Sequence, residues 1–191
     1  MINAGKNDKA VVVDILTGAF DSNKSVNYII KQDRHRKRKL RRLMEYSFDV
    51  CSLFGKIYLA DDKKGCALIM FPERKRVTLQ SVLLDLKLII RCTGFGNTKK
   101  AIRREAQIKK LQPNEPMYYL WFIGVDPSNQ GQGIGSAILE NIIRESESVN
   151  KIVCLETSRS ENLSWYQKFG FRIYNELDLG YRLYFLRTFP K

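Results

Sequence analysis

The sequence predicts an α/β protein, a mixed sheet flanked by helices. Three observations carry that expectation. In the second half of the chain, short apolar runs alternate with stretches of helical periodicity in the order strand, helix, strand, helix, strand, strand. In the first half, two apolar runs flank a polar, charged turn, the composition of a hairpin. The length, 191 residues with 44% hydrophobic side chains, suffices to bury a substantial core in one domain spanning 1–191.

Lys9 to Phe20 reads as a short helix, because Val12, Ile15, Leu16 and Phe20 fall on one side. From Arg36 onward Leu40, Leu43, Met44, Phe48 and Cys51 recur at steps of three and four, an amphipathic helix whose first turns carry the basic run Arg34 to Arg42. Gly55 to Ala60 and Cys66 to Phe71 are the hairpin strands, joined by Asp61-Asp62-Lys63-Lys64-Gly65. Val77 to Arg91 is rich in leucine and isoleucine but interrupted by Asp85 and Lys87, which predicts a mostly buried helix. Lys99 to Leu111 predicts a second, strongly basic one. Met117 to Val125 is apolar at nearly every position, as in a strand covered on both faces, and Asp126-Pro127 stops its pairing. Ile134, Ala137, Ile138, Ile142 and Ile143 keep helical spacing, with Glu140, Arg144 and Glu145 facing out. Ile152 to Thr157 is another buried strand and Leu163 to Phe169 a short helix. Phe171 to Asp178 and Gly180 to Leu186 form a final pair of strands.

Composition narrows the function classes. No apolar stretch reaches the roughly 18 uninterrupted residues of a membrane span, and glycine and proline, at 12 and 5, are unexceptional, so disordered, collagen-like and integral membrane classes are excluded. The opening MINAGKNDKA lacks the layout of a secretory signal. Cys51, Cys66, Cys92 and Cys154 lie far apart without a Cys-x-x-Cys pair, and His35 is the sole histidine, so neither a disulfide framework nor a zinc site is suggested. A reduced, cytoplasmic protein without a metal and without a membrane partner is expected, as monomer or homodimer.

The net charge of +13 is uneven: residues 1–115 hold 25 basic and 12 acidic side chains, residues 116–191 hold 8 of each. Beyond Arg34 to Arg42, smaller groups stand at Arg74-Lys75-Arg76, Lys99-Lys100, Arg103-Arg104 and Lys109-Lys110. Such runs are either a nucleic-acid footprint or solvated helix faces. Aromatic residues that would stack on bases are not interleaved with them, which favours solvated faces; binding of nucleic acid through Arg34 to Arg42 is the alternative.

The segment Asn129-Gln130-Gly131-Gln132-Gly133-Ile134-Gly135-Ser136 joins the central strand to a helix. Glycines leave backbone N–H groups unshielded, and a helix N-terminus adds free donors and partial positive charge, so the turn suits a pyrophosphate. Its spacing is neither the dinucleotide fingerprint nor a P-loop, and a purely structural turn is the competing reading.

The surroundings of this loop make a larger pattern. A buried strand ending in Val125-Asp126-Pro127, then Gln130-x-x-Gly133-x-Gly135 opening a helix, then a strand, then Asn162 and Tyr166 before Phe169-Gly170-Phe171, resembles the acyl-CoA-binding core of the GNAT superfamily of N-acetyltransferases. The likeness covers 117–187 and is fainter before residue 76. Tyr119-Leu120-Trp121, Leu155-Glu156-Thr157-Ser158 and Asn162-Leu163-Ser164-Trp165-Tyr166 look like the branch that includes puromycin N-acetyltransferase.

The resemblance implies a mostly antiparallel sheet with a splayed central strand, an acyl-CoA core at 117–187 and an acceptor-side half at 1–116. It implies transfer of an acetyl group from acetyl-CoA, as co-substrate, to a primary amine of a small molecule or peptide, directly in a ternary complex. The backbone of Gln130, Gly131, Gln132, Gly133, Ile134, Gly135 and Ser136 would then hold the pyrophosphate. Ile123, Gly124 and Val125 would pair with the amides of the pantetheine arm, and a backbone N–H of Ile123 or Val125 would polarise the thioester carbonyl. Gly124 suits a bulge that opens the strand, or close packing. Asn162 suits a contact to the coenzyme arm, or, since its interval to Tyr166 is shorter than in many members, a helix cap.

Two side chains suit the proton transfers. An alkylammonium has an ordinary pKa of about 10.4, so near neutral pH a base is wanted. Glu156 follows the apolar run Ile152 to Leu155, where desolvation raises a carboxyl toward the working range; it is that base or an internal partner for an arginine or backbone N–H groups. Tyr166, one helical turn from Asn162, is the general acid for the leaving thiolate, or a half-buried core aromatic. The segment from Val77 to Pro116 is longer than a connection requires and is expected to wall the acceptor pocket, its basic side chains suiting an anionic or carboxylate-bearing acceptor. A non-catalytic acyl-CoA-binding module is the rival to an enzyme.

Overall fold

The computed structural model describes residues 1–189, apart from the side chains of residues 91 and 93–96. One sheet runs through it, from strands β1 (Ile2–Asn3), β2 (Gly55–Leu59), β3 (Gly65–Met70), β4 (Met117–Val125), β5 (Ile152–Thr157), β6 (Arg172–Asp178) and β7 (Arg182–Arg187), in the order β1-β2-β3-β4-β5-β7-β6. Neighbours are antiparallel except β4 and β5, which are parallel. The helices are α1 (Lys9–Ala19), α2 (Lys24–Ile29), α3 (Arg36–Phe54), α4 (Leu79–Leu88), α5 (Gly94–Leu111), α6 (Ile134–Ser148) and α7 (Leu163–Lys168). The expected mixed, mostly antiparallel sheet with flanking helices is what forms.

Alternation along the strands sorts the core into two layers. Ile57, Leu59, Leu68, Met70 and Phe122 pack against Leu16, Leu40, Met44 and Phe48 of α1 and α3. Tyr58, Ala67, Ile69, Tyr118 and Leu120 pack against Ile138, Leu139 and Ile142 of α6 and Tyr166 of α7. Alternation breaks once. The register of β3 on β4 jumps from Leu68–Phe122 to Ile69–Leu120, so Trp121 is the extra residue of a bulge. Trp121 and Phe122, though consecutive, therefore both pack on the α1–α3 layer.

Several expectations need correction. The leucine-rich helix α4 is not mostly buried: Val77 is 91% and Leu79 80% exposed, and Val82, Leu83 and Leu86 are about half exposed. It lies over a cavity instead of inside the core, held to α3 by the Tyr46 hydroxyl donating to Asp85 at 2.6 Å. Glu145 does not face out either. It turns to the sheet, accepting from the hydroxyls of Tyr58 and Tyr118 and pairing with Lys56. Burial pushes its carboxyl up, but the hydrogen bonds from Lys56 and Tyr58 outweigh that and hold it below the usual range. The opened position in β4 is Trp121 and not Gly124. A Cβ on Gly124 would stand 3.1 Å from both Ala19 Cβ and Leu16 Cδ2, so that glycine admits α1 against the strand.

The basic run at the start of α3 is partly neutralised: Arg36 pairs with Asp21, Lys39 with Asp33, Arg41 with Asp14 and Glu45, and Arg42 with Glu45. Such exposed pairs contribute little stability each, and their acids spend much of the positive field. All four cysteines are buried and unpaired. Among the described residues, no helix is long and apolar enough to cross a membrane, and no group of His, Cys, Asp or Glu is gathered to hold a metal ion.

Candidate active site

β4 and β5 pair only through Met117–Ile152, Tyr118–Val153 and Tyr119–Cys154. Beyond these the two strands part, at the place where the Trp121 bulge adds twist. From Leu120 to Val125, β4 keeps only its partner β3, and Leu155 to Thr157 of β5 keep only β7. The gap opens into a cavity of about 890 Å³ lined from both layers of the molecule. Ile123, Gly124 and Val125 line it along the edge of β4 that lacks a partner strand.

On the α6–α7 side the glycine loop borders the cavity. Gly131 and Gly133 have φ of +79° and +81°, a region costly for side chains, and a Cβ on either would meet nothing within 4 Å. Glycine is thus present for backbone shape, not for space. No side chain caps α6 at Gly133, which leaves the first N–H groups of a 15-residue helix free beside the loop. The Trp165 indole N–H donates to Ser136 Oγ at 3.1 Å and ties α7 to that first turn. Gln130, Gly131, Gly133, Ile134, Gly135 and Ser136 line the cavity; Gln132 is exposed and stands outside the lining.

Tyr166 and Asn162 line the same side. Tyr166 is nearly buried between Trp165 and Phe171, ring centroids at 4.7 and 5.6 Å. Burial alone pushes its phenol up, so it is protonated at neutral pH, and among the described residues its hydroxyl has no hydrogen-bond partner. Asn162 precedes α7 but its side chain caps nothing, so of its two expected roles the capping one is not made.

Glu156 belongs to the other layer. On β5 it shares the face of Cys154, whereas Val153 and Leu155 pack with α6 and α7. Its carboxylate accepts from the Tyr119 hydroxyl and, at 3.2 Å, from Gln112 Nε2. Burial pushes the carboxyl up to about 7, against the downward pull of the Tyr119 and Gln112 hydrogen bonds and the Arg104 charge. The same burial, with Glu156 beside it, holds the Tyr119 phenol well above its usual range, so the shared proton stays on Tyr119. A carboxylate that titrates near neutrality is a competent base. Acid and base candidates thus stand on opposite layers and meet through the gap between β4 and β5.

Sequence reasoning singled out Glu156 and Tyr166 but not Tyr119, Gln112 or Arg104. Tyr119 comes from β4, Arg104 from α5 and Gln112 from the residue that follows α5, and only Tyr119, a polar-tipped residue in an otherwise apolar strand, carried a local signal.

A sheet split beside a parallel pair, with a glycine turn and a helix N-terminus at one end of the split and Glu156 and Tyr166 lining it, offers a place where an anionic, chain-like molecule can lie. Comparison with known proteins agrees. Residues 89–173 match the family model described as acetyltransferase (GNAT) domain. Solved structures share the fold. One is the histone acetyltransferase HPA2 and related acetyltransferase from Corynebacterium glutamicum, with 20% identity, 100% of this chain and 95% of that chain covered, and a TM-score of 0.72. Arylalkylamine N-acetyltransferase 2 from Aedes aegypti shows 13% identity, 100% and 98% coverage and a TM-score of 0.64. The ribosomal-protein-S18-alanine N-acetyltransferase from Escherichia coli shows 17% identity, 98% and 90% coverage and a TM-score of 0.52. Residues 89–173 thus match an acetyltransferase (GNAT) domain, and the chain as a whole shares the fold of solved acetyltransferases. These likenesses show the fold and do not single out the puromycin N-acetyltransferase-like branch.

Proposed function

We propose that this chain is an acetyl-CoA-dependent N-acetyltransferase that moves the acetyl group directly to a primary amine held in the same cavity. The observation that carries the reading is the parting of β4 from β5 after Tyr119, which leaves backbone amides of β4 without a strand partner between a phosphate-sized glycine turn and the Glu156–Tyr166 pair.

The residues fit the donor. The loop from Gln130 to Ser136 and the first turn of α6 offer N–H groups to the diphosphate, with Gln132 contributing backbone only. The free edge at Ile123, Gly124 and Val125 offers the amide partners an extended pantetheine arm needs, and Asn162 offers an unused side-chain amide. When bound, acetyl-CoA supplies an activated thioester. Glu156 takes a proton from the acceptor ammonium, directly or through water, so that the nitrogen lone pair can form the N–C bond. An N–H of Ile123 or Val125 faces the oxygen on which negative charge develops. Tyr166 gives its proton to the sulfur as the C–S bond breaks and is reprotonated, directly or through water, by the second proton that leaves the acylated nitrogen, and the products are the N-acetyl amide and free thiol. Tyr119 and Gln112 position the Glu156 carboxylate.

Titration of acetyl-CoA into the protein by calorimetry should give saturable binding. A thiol-release screen over amine acceptors should find turnover that Tyr166→Phe removes while coenzyme affinity persists. An absence of heat with millimolar acetyl-CoA would refute the proposal, and binding without turnover on any amine would favour a module that holds the coenzyme and transfers nothing.

A further inference from the structure

On the α1–α5 side of the cavity stands a cation to which the proposed chemistry assigns no contact with substrate. Arg104 of α5 lines the cavity and is largely buried. Its Nε donates to the Tyr181 hydroxyl at 3.1 Å and its Nη2 to Ser25 Oγ at 2.5 Å. Both partners are neutral. Among the described residues no carboxylate lies within 4 Å of the guanidinium, and Nη1 donates to none of them. Burying a guanidinium costs free energy unless an anion or a full set of acceptors meets it. A guanidinium carries five N–H donors in a planar fork. The two hydroxyls engage one edge and hold the plane still, leaving donors on the side of Nη1.

The acids around the cavity act on this cation only through space, without an ion pair. Asp85 receives the Tyr46 hydroxyl, and Glu156 receives Tyr119 and Gln112. Glu105, the next residue of α5, lines the cavity and its charge helps hold Arg104 in its charged form, but it is exposed to solvent and makes no ion pair with Arg104. The cavity that Arg104 lines also carries apolar and aromatic wall, from Phe20, Val26, Ile29 and Trp121.

We propose that Arg104 is the recognition point for a carboxylate on the acceptor, and that the acceptor is a primary amine with an apolar body and a carboxylate, an apolar amino acid in the simplest case. The inference rests on the N-acetyltransferase reading and adds the acceptor class to it. A planar fork with a free edge matches a carboxylate through paired N–H···O bonds. Glu156, on the same layer, then receives the ammonium on the carbon that bears that carboxylate.

The test compares matched probes that differ only by the carboxylate: tryptophan with tryptamine, and phenylalanine with phenethylamine. Thiol release should give the amino acid at least a tenfold higher kcat/KM than its decarboxylated partner. Arg104→Met should abolish that preference, chiefly through KM, and keep acetyl-CoA binding; because the Arg104 charge also acts on Glu156, plain-amine turnover serves as the baseline against which the lost preference is read. Arg104→Lys, which retains charge but loses the fork, should fall between. Saturation-transfer NMR without coenzyme gives a readout independent of turnover: tryptophan should bind the wild type and lose its signal in Arg104→Met. Equal rates and equal signals for both members of each pair would overturn the carboxylate assignment while leaving acetyltransfer intact. A protein that binds tryptophan through Arg104 but gives no heat with acetyl-CoA would overturn acetyltransfer and leave the subsite.

Discussion

Replacing Glu156 with glutamine should separate two effects of one buried carboxyl. Its pKa stands at about 7, against an ordinary 4.5. That rise of about 2.5 pH units corresponds to about 3 kcal/mol at about 1.4 kcal/mol per unit. Because the folded-state value is the higher one, the folded form holds the proton more tightly. The stabilising contribution is therefore whole below about pH 4.5, declines as pH rises, and is gone above about pH 7, where the fold carries the full cost of the buried charge. Glutamine removes the titration and keeps the shape: its carbonyl accepts the Tyr119 hydroxyl, and its amide donates to a flipped Gln112 side chain. Glu156→Gln should match the wild type near pH 4.5 and exceed it by up to about 3 kcal/mol at pH 8, a Tm gain of about 6–12 °C for a chain of this size. Turnover should fall by about 10²–10⁴ in the same variant. Melting curves from pH 5 to 9, paired with thiol-release rates, read both. Parallel pH dependence of Tm in the two proteins, or a wild-type kcat with no acid limb near pH 7, would refute the assignment of the raised carboxyl to Glu156.

Tyr166→Phe should lower kcat by about 10²–10³ and, because the hydroxyl has no hydrogen-bond partner among the described residues, leave Tm within a degree or two, measured by stopped assays and calorimetric scanning. Gly133→Ala places a side chain at φ +81° and should cost about 1–2 kcal/mol in urea unfolding while weakening acetyl-CoA binding in the same calorimetric titration used for the wild type. Gly124→Ala presses a methyl group to 3.1 Å from Ala19 and Leu16 and should cost about 1–3 kcal/mol of stability; a loss of coenzyme affinity without a loss of stability would show that its role is in binding, not packing.

Much of the frame was legible because it is written locally. β4 to β7 and α6 and α7 are set by continuous apolar runs and by one helical stripe, and their order survives without any long-range information. The exceptions have a common cause. The leucines of α4 look the same whether they face a core or water, and only the cavity beneath the helix decides which. Glu145 sits at a position that reads as an outer face, but Tyr58 and Tyr118, brought in by β2 and β4, turn it inward. The six residues of α2 are too few for periodicity to show and depend on the Asn23 side chain accepting from the Val26 N–H at 3.0 Å. At the site, Glu156 and Tyr166 could be singled out from their neighbours in sequence, whereas Tyr119, Gln112 and Arg104 gain their meaning only when four separate segments meet.

The short pairing of β4 with β5 has one more consequence. With only Met117 to Tyr119 laddered to Ile152 to Cys154, the sheet is two leaves stitched along a brief seam, and this seam is where slow breathing of the molecule should begin. Any extended guest that lies along the open length of β4 acts as a suture. Amide exchange at Leu120 to Val125 should then slow far more on loading than exchange anywhere in the α1–α3 layer, so that rigidity itself reports occupancy.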